Sequence, residues 1–348
     1  MKYIYLMGVL LLPIILVACK NRTESAKGFK EVIELTDYQQ IYSDAEQLPL
    51  GEVSSMLVYE NTLVTKHVRD EFTFSFFNTT NGELICRWGK KGNGVGEFIS
   101  FGVNLQIIDD QLTFAESMSK TFNLVSMTDI LGDSTKVDIR TQPYPYTGEF
   151  RGNKFAFLNG MKVVMGFFEQ GRLGLLSKEN DVLGTFGDYP FHYDEITGIH
   201  RGITFQGDIG VNSKENKCAV SIYNSDIFEI YQLKGKELNP IFVSSIENKP
   251  AIKEISGGRF SVNRNQSIAG YLEMAVSDEL IAFLYSPLFA ADAKSKQSNE
   301  IHCFNWKGEK LMKYILPFPI SNFCFNNEYL FAVRYLDDDI EIYRFKIA

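Results

Sequence analysis

Apolar and polar residues alternate along most of the chain in short runs, a pattern that predicts β-strands separated by turns. The clearest example is the segment 74–98, in which an aromatic run and a second apolar run flank Asn81-Gly82. An Asn-Gly pair is typical of a two-residue hairpin turn, because type I′ geometry needs positive φ at both central positions. The segment therefore predicts a strand, a tight turn and a returning strand.

A glycine-rich stretch, Gly89–Phe98, follows this hairpin and raises the alternative of a phosphate-binding loop. Such a loop stands between a strand and the start of a helix. Residues 98–107 show neither helical periodicity nor a capping residue. We therefore interpret the stretch as a connection to the next sheet.

Two kinds of hairpin alternate along the chain, and each kind recurs about every 50 residues, with one longer step before Asp278. Turns of the first kind are expected at Glu60-Asn61, Asp109-Asp110, Asn159-Gly160, Ser213–Asn216, Asp278-Glu279 and Asn326-Asn327. Turns of the second kind are expected at Asn81-Gly82, near Gly132-Asp133, at Glu179–Asp181, at Lys234–Lys236 and at Lys307-Gly308. The sixth unit lacks its last strand, because the chain ends after the apolar run 340–347.

This repeat predicts an all-β fold, a six-bladed β-propeller formed by residues 29–348. A further apolar run at the other end of the chain, Phe29–Leu35, is available to close the last blade. Closure pairs the exposed edge of the ring and so protects it from other chains. A two-sheet sandwich, the alternative, does not explain the regular spacing, and the sequence contains no long helical pattern.

The N-terminus has the pattern of an export signal. Lys2 supplies a positive charge, residues 4–17 form an apolar run too short for a typical membrane span, and Leu16-Val17-Ala18-Cys19 resembles a bacterial lipobox. We expect residues 1–18 to be a lipoprotein signal peptide, Cys19 to carry the lipid that attaches the protein to the membrane, and residues 19–28 to be a tether. The segment Lys20-Asn21-Arg22 is not acidic, which favours the periplasmic side of the outer membrane.

Charge and cysteine content bear on the partners of the protein and on whether it contains disulfides. The isoelectric point of about 5.2 and net charge of −8 argue against nucleic acid as a partner. Cys86, Cys218, Cys303 and Cys324 remain after cleavage, without metal-binding or redox spacing, and we expect buried free thiols. A Cys303–Cys324 bridge is the one pairing left open. We expect a monomer.

The chain resembles the TolB-like six-bladed β-propeller lipoproteins of anaerobic bacteria. The resemblance covers nearly all of the mature chain and is carried by the lipobox at Cys19, the loop Gly89–Phe98, the segment Phe186–Pro190 and the run Tyr271–Tyr285. It implies a cell-envelope propeller. The family has no catalytic signature to transfer to this sequence.

Ligands of propellers usually bind on the face where the innermost strands begin, opposite the tight hairpins. On this topology, the loops of that face carry many cationic and aromatic side chains. Arginine pairs with carboxylates, and aromatic rings stack on sugars, so these loops predict an anionic or glycan-like ligand. The candidate ligand-binding residues are Lys66, His67, Arg69, Arg151, His192, His200, Arg201, Arg259, Arg264 and Arg334. The alternative is that these long loops are simply polar and solvated, because acidic residues occur in them too.

Motifs for chemistry are lacking. The spacing of His192, Asp194 and His200 matches no strong metal-ligand pattern, and Asp337–Asp339 lacks the features of a calcium loop. We expect no metal and no cofactor, and we assign no catalytic residue. Two hypotheses therefore remain: a lipid-anchored module that binds a protein or glycan, and a hydrolase or lyase acting on a glycan or lactone through His192, His200, Arg201 and a loop carboxylate.

Overall fold

The computed structural model describes residues 28–347, except positions 45, 46, 48, 93, 95, 96, 100–104, 117, 197, 257, 258, 337 and 338. The predicted signal peptide, Cys19 and nearly all of the tether lie outside these residues. Within the described part, no helix is both long and apolar enough to cross a bilayer.

Six antiparallel four-stranded blades follow two N-terminal strands, β1 (Glu31–Glu34) and β2 (Tyr38–Ser43). Blade one contains β3 (Val53–Tyr59), β4 (Thr62–His67), β5 (Phe72–Asn78) and β6 (Leu84–Lys90). Blade two contains β7 (Gln106–Ile108), β8 (Gln111–Glu116), β9 (Thr121–Ser126) and β10 (Ile139–Pro143), and blade three contains β11 (Phe150–Leu158), β12 (Met161–Phe168), β13 (Leu173–Leu176) and β14 (Val182–Phe186). Blade four contains β15 (Ile209–Asn212), β16 (Lys217–Ser221), β17 (Phe228–Lys234) and β18 (Glu237–Val243).

A separate hairpin, β19 (Ile252–Ser256) and β20 (Arg259–Val262), lies between blades four and five in the sequence. Blade five contains β21 (Ile268–Val276), β22 (Ile281–Phe289), β23 (Ser298–Phe304) and β24 (Lys310–Ile320). Blade six contains β25 (Asn322–Phe325), β26 (Tyr329–Leu336) and β27 (Asp339–Lys346), and β2 completes it. The prediction of a six-bladed propeller whose last blade is closed by an N-terminal strand is confirmed.

The residues that close the ring differ from the prediction. β2 pairs antiparallel with β27, from Tyr38 opposite Phe345 to Ser43 opposite Glu341. The predicted run, Phe29–Leu35, contains β1 instead, which adds to the outer edge of blade five in parallel with β24. Leu35 is buried between blades five and six. The apolar pattern of this run therefore reflects packing at the edge of a neighbouring blade.

The core is divided among the interfaces between blades. Six apolar clusters occupy the six interfaces, because side chains on opposite faces of one strand pack against different neighbours. In β26, for example, Leu330 packs between blades five and six, whereas Phe331 packs between blades six and one. Burial on both faces explains why the central strands of the blades read as nearly continuous apolar runs.

Two turns of the second kind differ from the prediction. The one expected near Gly132-Asp133 contains a short helix, α1 (Met127–Gly132), whose first turn is capped by the Ser126 hydroxyl accepting from the Asp129 amide at 3.2 Å. At Asn81-Gly82, only Gly82 has positive φ (73°), so the turn is not type I′. A side chain at Gly82 would collide with the carbonyl oxygen of Ile41, which explains the glycine.

The long loop 187–206 forms a 3₁₀ turn (Gly198–His200) and a short helix, α2 (Arg201–Thr204). It encloses a small apolar cluster that includes Tyr189, Phe191 and Phe205. A second 3₁₀ turn, Ala293–Lys296, follows β22. The four cysteines are free, as expected, and Cys303 and Cys324 form no bridge.

Candidate functional site

The innermost strands of all six blades line a central cavity of about 570 Å³. Each blade contributes to its wall, through residues that include Ser55, Gln106, Lys154, Gly210, Met274 and Cys324. Most of these strands carry small or apolar side chains here. The charged groups of the wall are therefore few, and their positions can be followed individually.

One sequence position, in or just before the innermost strand, is polar in all six repeats. It lies five residues before the first residue of each turn of the first kind, and its occupants are Ser55, Asn104, Lys154, Asp208, Glu273 and Ser321. Asn104 lies outside the described residues. In blades one, three and five the ladder shifts register immediately before this position, between Val53 and Ser55, Gly152 and Lys154, and Tyr271 and Glu273. A β-bulge of this kind redirects the following side chain.

Lys154, Asp208 and Tyr223 form a compact polar cluster across blades three and four. The Lys154 ammonium donates to Asp208 Oδ1 and, at 2.5 Å, to the Tyr223 hydroxyl oxygen. The same tyrosine hydroxyl donates to Asp208 Oδ1 at 2.8 Å. Burial, and then the negative charge of Asp208, holds the pKa of Tyr223 well above its usual value, so this hydroxyl stays protonated. Lys154 and Asp208 are thus paired with each other.

Glu273 lies in the same wall, on blade five. Burial raises the pKa of its carboxyl well above the ordinary value, the charge of Asp208 raises it further, and Lys154 opposes the shift. The upward shift favours the protonated form of Glu273, which can donate a hydrogen bond. It has no hydrogen-bond partner among the described residues.

Lys66 is the remaining charged residue of the wall. It stands opposite Ser55 in the ladder between β3 and β4 and is 5% exposed. Its ammonium makes no hydrogen bond or ion pair with any residue that the structure describes. Burial lowers the pKa of Lys66 to about 8, with smaller contributions from the positive charges of Lys154 and Lys91.

The ammonium of Lys66 consequently has no paired counter-charge among the described residues of the wall. Lys154 is paired with Asp208, and burial favours the uncharged form of Glu273. Burying an unpaired ammonium is costly, and an anion that entered the cavity would offset part of that cost.

Most of the other predicted ligand residues lie outside this cavity. His67, next to Lys66, is fully buried: its ring nitrogens lie 3.0 Å from the Gly51 carbonyl oxygen and from the hydroxyls of Thr65 and Ser75. Burial lowers the pKa of His67 to about 4, so the ring is neutral near pH 7. Its position indicates a role in holding blade one together.

The exposed candidates are dispersed over the surface. Arg69, Arg151, His192, His200 and Arg259 are solvent-exposed, and His192 lies 3.9 Å from the carboxylate of Asp188. Arg201 lies over the Tyr189 ring at 5.8 Å. Arg334 lies 3.6 Å from Glu341 and over the Phe318 ring at 4.6 Å. As ligand contacts, these residues stay predictions.

Arg264 lines a smaller pocket of about 340 Å³ beside the central cavity. Its guanidinium donates to the carbonyl oxygen of Ala290. Tyr223 lines both spaces, and Lys296 adds a second positive charge to the smaller one. The structure therefore brings Lys66 and Arg264, alone of the ten candidates, into two cavities that share a wall residue.

A third space, a groove of about 650 Å³ between blades one and two, has several charged groups that already have partners. Arg87 is paired with Asp70, Glu97 accepts from the Gly94 amide at 2.9 Å, and Glu116 accepts from the Ser119 hydroxyl at 2.8 Å. No group of three metal-ligating side chains occurs among the described residues. The central cavity is therefore the strongest candidate site.

Lys154, Asp208 and Glu273 are not among the candidate residues that the loops predict. All three interrupt or border apolar strands, and their equal distance from successive turns is visible in the sequence. Tyr223 is likewise not among the predicted candidate residues. An alignment of the six repeats on their turns of the first kind shows this recurring polar position.

Solved structures share this fold at low sequence identity. A Bacteroides fragilis protein predicted to be exported is 13% identical, with a TM-score of 0.56 over 90% of this chain and 98% of that chain. A Bacteroides vulgatus protein of the DUF4221 family is 10% identical, with a TM-score of 0.53 over 90% and 99% of the two chains. The β-propeller domain of Cps50 (Swd1) from Myceliophthora thermophila is also 10% identical, with a TM-score of 0.51 over 89% and 100%.

The comparison with curated protein sequences found no match. The family model described as TolB-like 6-blade propeller-like matches residues 54–328, which span all six blades from the first strand of blade one to the first hairpin of blade six. The match covers most of the chain, and the chain belongs to this family of TolB-like six-bladed propellers.

Proposed function

We propose that the protein is a lipid-anchored module of the bacterial cell envelope that binds a small anionic ligand, such as an acidic sugar, in the central cavity. The observation that carries the proposal is the buried ammonium of Lys66, which has no partner among the described residues. A carboxylate would supply the missing charge. The hydroxyl of Tyr223 and the protonated carboxyl of Glu273 add polar contacts of the kind that sugar hydroxyls make.

Binding is testable with D-glucuronate as the anionic probe and D-glucose as its neutral counterpart. A ligand that binds only the folded state raises the melting temperature in proportion to the logarithm of its concentration. We expect glucuronate to stabilise the purified full-length protein and glucose to have a much smaller effect. Equal stabilisation by both sugars would contradict a site built around a positive charge.

The variant Lys66→Met keeps the length and apolar stem of the side chain and removes the ammonium. We expect it to abolish the stabilisation by glucuronate. Lys234→Met is the matched control, because Lys234 is exposed in a hairpin remote from the cavity lining. A Lys66→Met protein that still responds to glucuronate would show that the anion binds elsewhere.

Attachment to the membrane rests on the lipobox, which lies outside the described residues. An outer-membrane lipoprotein facing the periplasm is the location that this motif and the non-acidic segment after Cys19 favour. Cys19→Ala should release the protein from the membrane fraction of the producing cells. Retention of the Cys19→Ala protein in that fraction would contradict lipid anchoring.

Hydrolysis or elimination on a glycan or lactone is the second candidate function. Glu273 favours it, because burial favours its protonated form and Asp208 lies in the same cavity wall, and a general acid with a second carboxyl group is a common catalytic arrangement. Turnover of an acidic oligosaccharide by the purified protein, lost in Glu273→Gln while glucuronate binding persists, would establish this function. Binding without turnover across a panel of such oligosaccharides would support a pure binding module.

A further inference from the structure

Buried lysines in this protein fall into two groups. Lys66, Lys162 and Lys313 are at most 5% exposed. The Lys162 ammonium donates to the carbonyl oxygens of Ser177 and Lys178 at 3.2 and 2.7 Å, and the Lys313 ammonium donates to Glu300 at 2.8 Å. Only Lys66, among these three, has an amine that the described residues leave without a hydrogen-bond partner and that also borders an open cavity.

The neighbours of Lys66 confirm the contrast. Lys91 donates to the carbonyl oxygens of His67 and Val68 at 3.0 and 2.6 Å, and Lys154 is held by Asp208 and Tyr223. The positive charges of Lys91 and Lys154 disfavour the protonated form of Lys66, and neither ammonium can accept a hydrogen bond from it. A desolvated lysine amine beside another cation is the environment that makes this side chain a nucleophile.

We propose that the amine of Lys66 forms a reversible imine with an aldehyde or ketone ligand that enters the central cavity. The inference rests on the proposed function in one respect, since the ligand must occupy that cavity. It adds a covalent step that charge pairing does not require. Open-chain reducing sugars and α-keto acids carry the necessary carbonyl group.

The reaction balances without an oxidant or a reductant. The neutral amine adds to the carbonyl carbon, a C–N bond forms, and one of the two amine protons passes to the carbonyl oxygen to give a carbinolamine. The C–O bond then breaks, and the oxygen leaves as water with a proton from the carboxyl of Glu273, which lines the same cavity wall and whose protonated form burial favours. The nitrogen returns its second proton to the Glu273 carboxylate, so that amine and carbonyl become imine and water.

The lowered pKa supports this chemistry. With a pKa of about 8, roughly a tenth of the Lys66 amine is neutral at pH 7. For a lysine of ordinary pKa, the neutral fraction at that pH is below roughly one in a thousand. Reaction at Lys66 should therefore exceed reaction at an average surface lysine by at least about tenfold, after allowance for the weaker nucleophilicity of a less basic amine.

Reductive trapping tests the proposal on the purified full-length protein. Pyruvate and dihydroxyacetone are the probes, sodium cyanoborohydride reduces any imine to a stable amine, and peptide mass mapping locates the adduct. We expect one dominant adduct, at Lys66, whose rate of formation rises with pH to half its maximum near the pKa of about 8. Lys66→Arg should lose this adduct, Lys234→Arg should keep it, and Glu273→Gln should slow its formation.

Each outcome separates this inference from the proposed function. Adducts spread over the exposed lysines, or none at Lys66, would overturn the inference; if glucuronate still stabilised the protein, the proposed function would stand. Trapping at Lys66 without stabilisation by glucuronate would support the inference and contradict binding by charge. Failure of both measurements would contradict both proposals.

Discussion

Two charged sites between or within the blades differ in whether their charges are balanced. Arg172 and Glu229, each 1% exposed, form a buried ion pair between blades three and four, with Arg172 Nε donating to Glu229 Oε2 at 3.0 Å. The Tyr231 hydroxyl donates to the other oxygen of Glu229 at 2.6 Å. In the central cavity, by contrast, Lys66 has a positive charge and no partner among the described residues.

This difference separates structural charges from charges available to a ligand. A buried ion pair balances its own charge, and removing one partner leaves the charge of the other uncompensated. An unpaired buried charge destabilises the folded protein in the absence of a ligand, and a ligand of opposite charge offsets that cost when it binds. The two sites should therefore respond in opposite directions when their cations are removed.

The largest effect on stability is expected at the Arg172–Glu229 ion pair. Arg172→Met leaves the Glu229 carboxylate buried and unpaired, so we expect the free energy of unfolding to fall by about 3–5 kcal/mol, measured by chemical denaturation. The double variant Arg172→Met/Glu229→Gln removes both charges and should recover most of that loss. A single variant no less stable than the double one would show that the pair does not hold the two blades together.

His67 should make the protein sensitive to acid. Its pKa is about 4 in the folded protein and about 6.5 when unfolded, so the unfolded state binds more protons between these values. Stability should therefore decrease as pH falls from 6.5 towards 4, by up to about 3 kcal/mol. His67→Gln should show a shallower decline over that range. An equal decline in both proteins would contradict a neutral, buried His67.

Lys66→Met should stabilise the protein in the absence of ligand. The folded pKa of Lys66, about 8, lies below its unfolded value, so the buried charge costs free energy below pH 8 and ceases to do so as pH rises to about 10.5. We expect a gain of about 1–3 kcal/mol at pH 7 that disappears at alkaline pH. Lys234→Met should show no such gain, and a destabilised Lys66→Met protein would indicate that the ammonium is paired.

The smallest effect is expected at the exposed arginines. Arg69→Ala and Arg151→Ala should each change the free energy of unfolding by less than about 0.5 kcal/mol, because neither side chain is buried. Neither should alter the stabilisation by glucuronate. Loss of the glucuronate response in either variant would move the site from the cavity to the loop face, as the sequence originally predicted.

Sequence patterns are sufficient to predict the six blades but not to predict which N-terminal strand closes the ring. Turn residues such as Asn159-Gly160 and the apolar runs beside them repeat along the chain, because the strands of every blade pack in the same way against the two neighbouring blades. The closing strand β2 is exposed along its first half and carries Gln39 and Gln40, so it reads as a weak strand. Its place is decided by Ile41 and Tyr42, which pack between blades six and one.

The site could be predicted only in outline. Polar residues at one fixed distance from each turn are visible in the sequence, and four of them, Ser55, Lys154, Asp208 and Glu273, line the central cavity. Whether a charge there is paired depends on contacts between strands far apart in sequence, such as Lys154 with Asp208 and Tyr223. The sequence around His67 likewise does not indicate that its ring is buried against the hydroxyls of Thr65 and Ser75.

The most direct test is the ionisation of Lys66 itself, followed by NMR on protein with isotopically labelled lysine side chains, with Lys66→Met used to assign the signal. We predict a pKa of about 8 in the free protein and a rise towards the ordinary lysine value when glucuronate binds. A pKa near 10.5 in the free protein, unchanged by glucuronate, would contradict the claim that the central cavity holds an unpaired charge for a ligand.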